Sequence, residues 1–314
     1  MGIDKENQQV LRRWDQRKNE LRGQFVDLRG LPREKLPEMR GEWIEVDPVI
    51  WFPKKVWREL PFHERRWVEV EAAAMSSRSA VLVGRSAARK LGMWVVSLDD
   101  ECVEVALPSQ GSSPNRKKRR NFIFRRSRLV PEEVLTYEGH RVTDPVRTFI
   151  DIARYHGFAE GLIALDYVLR RGKTVDEIER KIRLMGRAKG IAVARRCLKY
   201  GVANSESPYE TLARALLIEA GIGNLAPQFE VGGKFVDICV DGWLVIEIDG
   251  DLKYEGPGGE EAWKAEMKRQ KFIGNQGFVF LRYSPDFIRD YPEKFIAQVR
   301  ETLASREALA LRIG

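Results

Sequence analysis

The sequence predicts a mixed α/β chain, α+β overall, in which an αβββαβ core with a mixed sheet follows a basic, helix-rich N-terminal part. Three observations lead there. Helical and strand-like periodicities alternate over 205–314 in the order helix, three strands, helix, strand. Formal charge reverses near residue 204: residues 1–204 hold 41 basic and 28 acidic side chains, a net of +13, whereas 205–314 hold 13 and 18, a net of −5. At that same point Asn204, Ser205, Glu206, Ser207 and Pro208 interrupt the pattern, as a boundary does. The expected organisation is a polar helix in 1–24, a basic domain in 25–204 and a C-terminal domain in 205–314.

Composition excludes several classes. The chain has 314 residues, enough to bury two cores without staples. Its 43% hydrophobic content argues against disorder. No apolar run approaches the roughly 18 residues a membrane span needs. Met1 to Asn7 lack the apolar core of a signal peptide, and Cys102, Cys197 and Cys239 form no C-x-x-C, so a reducing cytoplasm is expected. His63, His140 and His156 contain no H-x-x-x-H pair.

In the N-terminal part, residues 8–22 read as a polar helix, exposed or frayed because few apolar positions are available to bury. From Phe25 to Phe62 the chain is rich in Pro and Trp, which favours short strands and turns. Helices are expected near Glu64–Ser76 and Arg85–Leu91, the second stopped by Gly92. Cys102–Leu107 alternates as a strand does. Asp144 and Pro145 mark a helix start, since Asp caps and Pro suits the first helical position. Two or three more helices fill 158–200, broken near Gly172 and between Gly186 and Gly190.

The densest charge is Arg116, Lys117, Lys118, Arg119 and Arg120, followed by Arg125, Arg126 and Arg128 around a short strand, Asn121–Phe124. A loop by composition, Ser109–Pro114, precedes it. Clustered Lys and Arg release counterions from nucleic acid, so this run is read as a phosphate-binding edge in preference to a solvated basic loop. Charge alone does not separate DNA from RNA.

In the C-terminal part the expected elements are a helix at 208–220, strands near 227–231, 234–239 and 243–249, a helix at 259–274, a strand at 278–283 and a tail helix at Pro292–Leu303. Val236 and Ile238 line one side of one strand, and Leu244, Ile246 and Ile248 one side of the next. Both apolar rows should face the core, which excludes a two-residue Asp241–Gly242 turn and selects a three-residue loop, Val240–Gly242, pairing Ile238 with Leu244. Asp237, Glu247 and Asp249 then project from one face. Carboxylates so crowded repel unless a cation joins them, and an oxygen-only set suits Mg²⁺ or Mn²⁺. The alternative is an amphipathic hairpin with solvent-facing acids, but the Glu247 strand is too apolar for a free edge.

Glu210 offers a fourth carboxylate. It also completes a capping box with Ser207, and the two roles stay open. Lys253 stands where it could stabilise a phosphate, or it is plain surface. Glu266, Arg269 and Ile273 share a helix face, so Arg269 either touches phosphate or pairs with Glu266.

Taken in order, Ser207-Pro-x-Glu210, the Asp237 strand, Glu247-x-Asp249-Gly250-x-x-Lys253-Tyr254, Glu266-x-x-Arg269 and the strand ending at Arg282 resemble a bacterial family related to very-short-patch-repair endonucleases, within the PD-(D/E)XK nucleases. The resemblance covers 205–303 and implies a restriction-endonuclease-like core, with metal ligands at Asp237 and Glu247 and a helical acid at Glu210. The Lys usual two residues after the Glu is Asp249 here, with Lys253 as its replacement. Residues 65–200 resemble, more weakly, the type IV abortive-infection antitoxin-like region that precedes such nucleases in actinobacterial proteins. Gly84-Arg-Ser-Ala-Ala88, Leu91-Gly92 and Val142-Thr-Asp-Pro-Val-Arg147 carry that likeness.

Two functions follow as expectations. One is a Mg²⁺- or Mn²⁺-dependent endonuclease acting on DNA in defence or repair, with Glu210, Asp237, Glu247, Asp249 and Lys253 catalytic and the basic part holding the backbone. Arg269 is counted with the nucleic-acid contacts, and a homodimer would supply the two sites that double-strand cleavage needs. The other is a non-catalytic DNA-binding regulator, antitoxin-like, whose nuclease fold is degenerate.

Overall fold

The computed structural model describes residues 2–32, 41–77, 79–107, 121–249 and 259–313. Among them lie 12 helices and three sheets, the mixed helix-and-strand class the sequence predicts. Two compact units divide the chain, 1–93 with 100–148 and 94–99 with 149–314. The reversal of charge at residue 204 therefore falls inside the second unit.

In the first unit, helix α1 (Gly2–Arg22) precedes a three-stranded antiparallel sheet of β1 (Val26–Asp27), β2 (Trp43–Asp47) and β3 (Ile50–Pro53) in the order β1-β3-β2. Helices α2 (Lys54–Glu59) and α3 (Phe62–Ser76) follow, then β4 (Val81–Leu82), α4 (Gly84–Leu91), β5 (Val103–Ala106), β6 (Phe122–Phe124), β7 (Val134–Tyr137) and β8 (His140–Thr143). The last five strands make a mixed sheet, β6-β5-β4-β8-β7. Helix α3 serves two cores. Its Trp67 and Val68 pack with Leu21, Phe52 and Leu60, while Val70, Ala73 and Ala74 pack with Leu82, Val103, Val105 and Val142. An apolar surface on two sides suits a helix buried between layers.

The 14–22 part of α1 departs from expectation, because it is docked rather than frayed. Leu21 and Lys18 are buried, and Trp14 meets the Trp67 ring edge-on. Arg17 pairs with Glu64 at 3.0 Å, and Arg22 with Glu71 at 2.9 Å. Those acids sit on α3, far along the chain, so helical periodicity within 8–22 could not reveal them.

The long segment of the second unit begins within α5 (Pro145–His156). Its start is as expected, for Asp144 Oδ1 accepts from Val146 N–H at 3.0 Å and Arg147 N–H at 3.2 Å. Helices α6 (Phe158–Arg170), α7 (Val175–Leu184), α8 (Ile191–Leu198) and α9 (Pro208–Glu219) come next. Then follow β9 (Leu225–Val231), β10 (Lys234–Val240), β11 (Leu244–Ile248), α10 (Gly259–Gly274), β12 (Val279–Tyr283), α11 (Pro285–Asp290) and α12 (Pro292–Ile313). The tail is thus two helices, the second running beyond Leu303. In the sheet, β12-β11-β10-β9, the pairs from β9 to β11 are antiparallel and β11–β12 is parallel. A parallel neighbour needs a crossover, and α10 lies in it.

Helix α6 is the unit's central helix, buried along most of its length. Gly161 lets it approach α5, since a Cβ there would lie 2.7 Å from Ala153 Cβ and 2.8 Å from Ala153 Cα. Gly161→Val is therefore expected to destabilise this unit by about 2–3 kcal/mol through overpacking. The shift in its urea-unfolding midpoint measures this, and an unchanged midpoint would contradict the close approach.

Candidate carboxylate site

The β10–β11 hairpin builds the site. Its register is Ile238↔Ile246, Cys239↔Val245 and Val240↔Leu244. The loop is accordingly Asp241–Trp243 rather than Val240–Gly242, and Ile238 faces Ile246 rather than Leu244. Asp241 and Gly242 both take left-handed conformations, φ 50° and 73°, and Trp243 N–H donates to Val240 O at 3.1 Å. Asn224 stabilises the strained Asp241 through its amide at 2.8 Å. The correction moves the register by two residues, which preserves the side-chain alternation. Asp237 and Glu247 therefore stand one step beyond the Ile238–Ile246 pair, on the same face.

That face is partly covered, with Glu247 buried and Asp237 half-buried. Cys239 and Val245 share it and cluster with Ile273 of α10 and Phe280 of β12. One turn before Ile273, Arg269 reaches the acids: its Nη2 donates to Glu247 Oε1 at 2.9 Å and its Nη1 to Phe235 O at 2.7 Å. Arg269 thus pairs with the strand acid. Glu247 is 3% exposed. Burial first, then the charge of Asp237, push its carboxyl up to about 7, with Asp249 adding to the rise and Arg269 opposing it. Asp237 Oδ2 accepts from Ile248 N–H at 2.8 Å, which orients its carboxylate at the end of the ladder. Asp249 accepts from Arg282 Nη1 at 2.8 Å, and Arg282 is in register with Glu247.

These shifts have a measurable consequence. Glu247 keeps its proton in the folded chain where an unfolded Glu, with an ordinary value of 4.5, has lost it. Its contribution to stability is therefore fully present below pH 4.5, falls as pH rises, and levels off above about 7. Asp237→Asn removes the nearest like charge and is expected to flatten that decline by about 1 kcal/mol. Urea unfolding of both proteins from pH 5 to pH 8 checks it. Parallel curves would mean that Asp237 has no hold on Glu247.

Glu210 is placed differently. Ser207 Oγ accepts from Glu210 N–H at 3.1 Å, and Glu210 Oε2 accepts from Glu206 N–H at 2.9 Å and Gln228 Nε2 at 3.0 Å. It is the reciprocal cap of α9, reaching one residue beyond the cap position. Burial raises its pKa. Among the described residues, the set of three His, Cys, Asp or Glu with ligand atoms all within 4.8 Å of one another is Asp99, His156 and Glu160, so Glu210, Asp237 and Glu247 do not converge that closely. Gln228 is a site residue that sequence reasoning missed. With φ 48°, it interrupts the β9–β10 pairing between Phe229↔Val236 and Pro227↔Ile238, opposite Asp237. A Gln after Pro227 within a strand was the available signal.

Lys253 lies outside the described residues, as do Arg116, Lys117, Lys118, Arg119 and Arg120. Of the remaining basic cluster, Arg126 and Arg128 are exposed. Arg125 turns inward, its Nε 2.7 Å from Oε1 of the buried Glu104.

With this geometry established, comparison with known proteins adds one match. Residues 79–199 match the AbiEi antitoxin C-terminal domain family. No curated protein and no solved structure matches the chain. The match overlaps the expected antitoxin-like region, 65–200, and includes all three motifs that suggested it. In the structure the first and the last of them serve the fold. Glu104 Oε2 accepts from Arg85 N–H at 2.7 Å, and a Cβ on Gly84, at φ 54°, would sit 2.3 Å from that oxygen. Arg147, 1% exposed, pairs with Glu133 at 2.5 Å. No helix among the described residues is long and apolar enough to cross a membrane.

Proposed function

We propose that the chain is a metal-dependent DNA endonuclease whose ion is held by Asp237 and Glu247. The observation that carries this is their position on one partly covered face of the β10–β11 hairpin, one step beyond the Ile238–Ile246 pair, where Arg269 bonds Glu247 and the Ile248 amide bonds Asp237. Two adjacent carboxylates with no nitrogen or sulfur among them fit Mg²⁺ or Mn²⁺, which take one or two protein carboxylates and leave the other positions to water and phosphate. A bound ion supplies an activated water and neutralises charge on the phosphate. Arg269 holds Glu247 in place and brings positive charge to the same face, where a phosphate oxygen would be drawn. Asp237 is aimed by the Ile248 amide. Glu210 supports this arrangement through Gln228 rather than as a third ligand. Lys253 is proposed to assist at the phosphate, and the basic part of residues 1–204, including Arg126 and Arg128, to hold the DNA backbone.

A second reading is favoured by two observations: the antitoxin match at 79–199, and Asp249 in the position usually held by Lys, its carboxylate paired with Arg282. In that reading the chain binds DNA as a regulator and turns nothing over. The test is incubation of the purified chain with plasmid, linear and single-stranded DNA, with Mg²⁺, Mn²⁺ or chelator. Metal-dependent products from wild type that fall away in Glu247→Ala support the nuclease. No cleavage, or equal cleavage by Glu247→Ala, overturns it. A salt-dependent gel shift unaffected by Asp237→Asn, with no turnover, establishes the regulator.

A further inference from the structure

Three side chains of the second unit form a cluster that neither reading above uses. His156 is the last residue of α5, and Glu160 lies in the first turn of α6, beyond the corner made by Gly157 at φ 91°. Asp99 comes from a distant stretch, 94–99, which belongs to this unit although its chain neighbours on both sides do not. That stretch is fastened twice. The Trp94 ring meets Tyr167 of α6 edge-on at 5.7 Å, and Leu98 N–H donates to Glu160 Oε1 at 3.1 Å. One oxygen or nitrogen from each of Asp99, His156 and Glu160 lies within 4.8 Å of the other two.

We propose that Asp99, His156 and Glu160 form a binding site for a first-row transition-metal dication, for which Zn²⁺ is the natural probe. Ligands bound at about 2.0–2.2 Å from one ion lie roughly 3–4 Å apart, so a set already inside 4.8 Å closes by side-chain rotation. The donor set has the right chemistry. One imidazole beside two carboxylates favours Zn²⁺, Co²⁺ or Ni²⁺ over Mg²⁺, in contrast to the oxygen-only pair at Asp237 and Glu247. Burial is graded across the three, with Glu160 at 4% exposure, His156 half-buried and Asp99 exposed. The ion would be anchored from beneath and keep positions facing solvent, the pattern of three protein ligands plus water. Ligation ties the 94–99 stretch to the α5–α6 corner. The competing arrangement is direct contact among the three side chains with no ion between them.

The deciding experiment uses the full chain, stripped with a chelator and dialysed, then titrated with Zn²⁺ by calorimetry and with Co²⁺ by visible absorption. One equivalent should bind. Asp99→Asn and His156→Gln should each weaken it by about tenfold or more, and His156→Gln should alter the Co²⁺ spectrum. Asp237→Asn should leave this binding unchanged, which separates the site from the carboxylate pair and from the nuclease reading. Asp99 is exposed, so Asp99→Asn retains the fold, and circular dichroism verifies this for both variants. Absence of Zn²⁺ binding by the wild type, or equal binding by Asp99→Asn and His156→Gln, overturns the proposal and leaves the direct contact among the three side chains.

Discussion

Asp237→Asn is expected to lower metal-dependent DNA cleavage by about 100-fold or more, the scale of loss when one preorganised charged group is taken from a transition state. The substitution is chosen because it separates chemistry from folding. Asp237 accepts the Ile248 N–H through Oδ2 at 2.8 Å, and an Asn oxygen can accept the same bond. What disappears is the negative charge. Without it Glu247 keeps its bond to Arg269, with Asp249 as the remaining acid acting on it, and the oxygen pair that would hold a divalent ion is reduced to one carboxylate. Glu247→Ala should be at least as damaging, because it also releases Arg269. Initial rates of nicking on supercoiled plasmid, with metal varied at fixed DNA, read the loss. Cleavage by Asp237→Asn at the wild-type rate would remove the pair from the chemistry.

The largest expected effect on stability lies elsewhere in the second unit. Asp166 of α6 is fully buried, and its carboxylate accepts from Arg214 Nη2 at 2.6 Å, Thr211 Oγ1 at 2.9 Å and Val202 N–H at 2.8 Å. Burial raises its pKa, with Arg214 pulling the other way. Asp166→Ala leaves the guanidinium of Arg214, 4% exposed, without its counter-charge. The expected cost is about 3–5 kcal/mol, the range for breaking a buried pair by removing one partner. Replacing both, Asp166→Ala with Arg214→Met, should recover part of that loss, since the stranded charge goes too. Urea unfolding followed by circular dichroism gives both values. A single-variant loss below about 1 kcal/mol would show that water or a rearranged acid replaces the partner. The pair matters for organisation as well. Asp166 lies within the stretch that matches the antitoxin family, whereas Arg214 lies beyond it, so this bond fastens the matched helices to the C-terminal elements of the same unit.

Much of the fold was legible in the chain because it depends on neighbours. Asp144 and Pro145 start α5 through contacts a few residues away, and Gly92 ends α4 in the left-handed conformation, φ 69°. The order of elements from Pro208 to Tyr283 follows hydrophobic period alone. The hairpin is the instructive case. Its loop lies one residue later than the strand pattern predicts, yet Asp237 and Glu247 still share a face, because an even slip in register does not invert a strand.

By itself, then, the sequence determined the element order of the C-terminal part up to Tyr283, several helix starts and stops of the N-terminal part, and that the acids of β10 and β11 fall on one side of the sheet. Alternation and capping are local properties of the chain, and local physics suffices for them. Only the tertiary structure decided the partners. Arg269 bonds Glu247, Glu210 is engaged by Glu206 and Gln228, Arg125 turns toward Glu104, α1 is held by Glu64 and Glu71, and Asp99 meets His156 and Glu160. Most of these partners are distant in sequence. A charged side chain carries no mark of which opposite charge will reach it; packing of the elements sets that distance, and distance and burial set the energy.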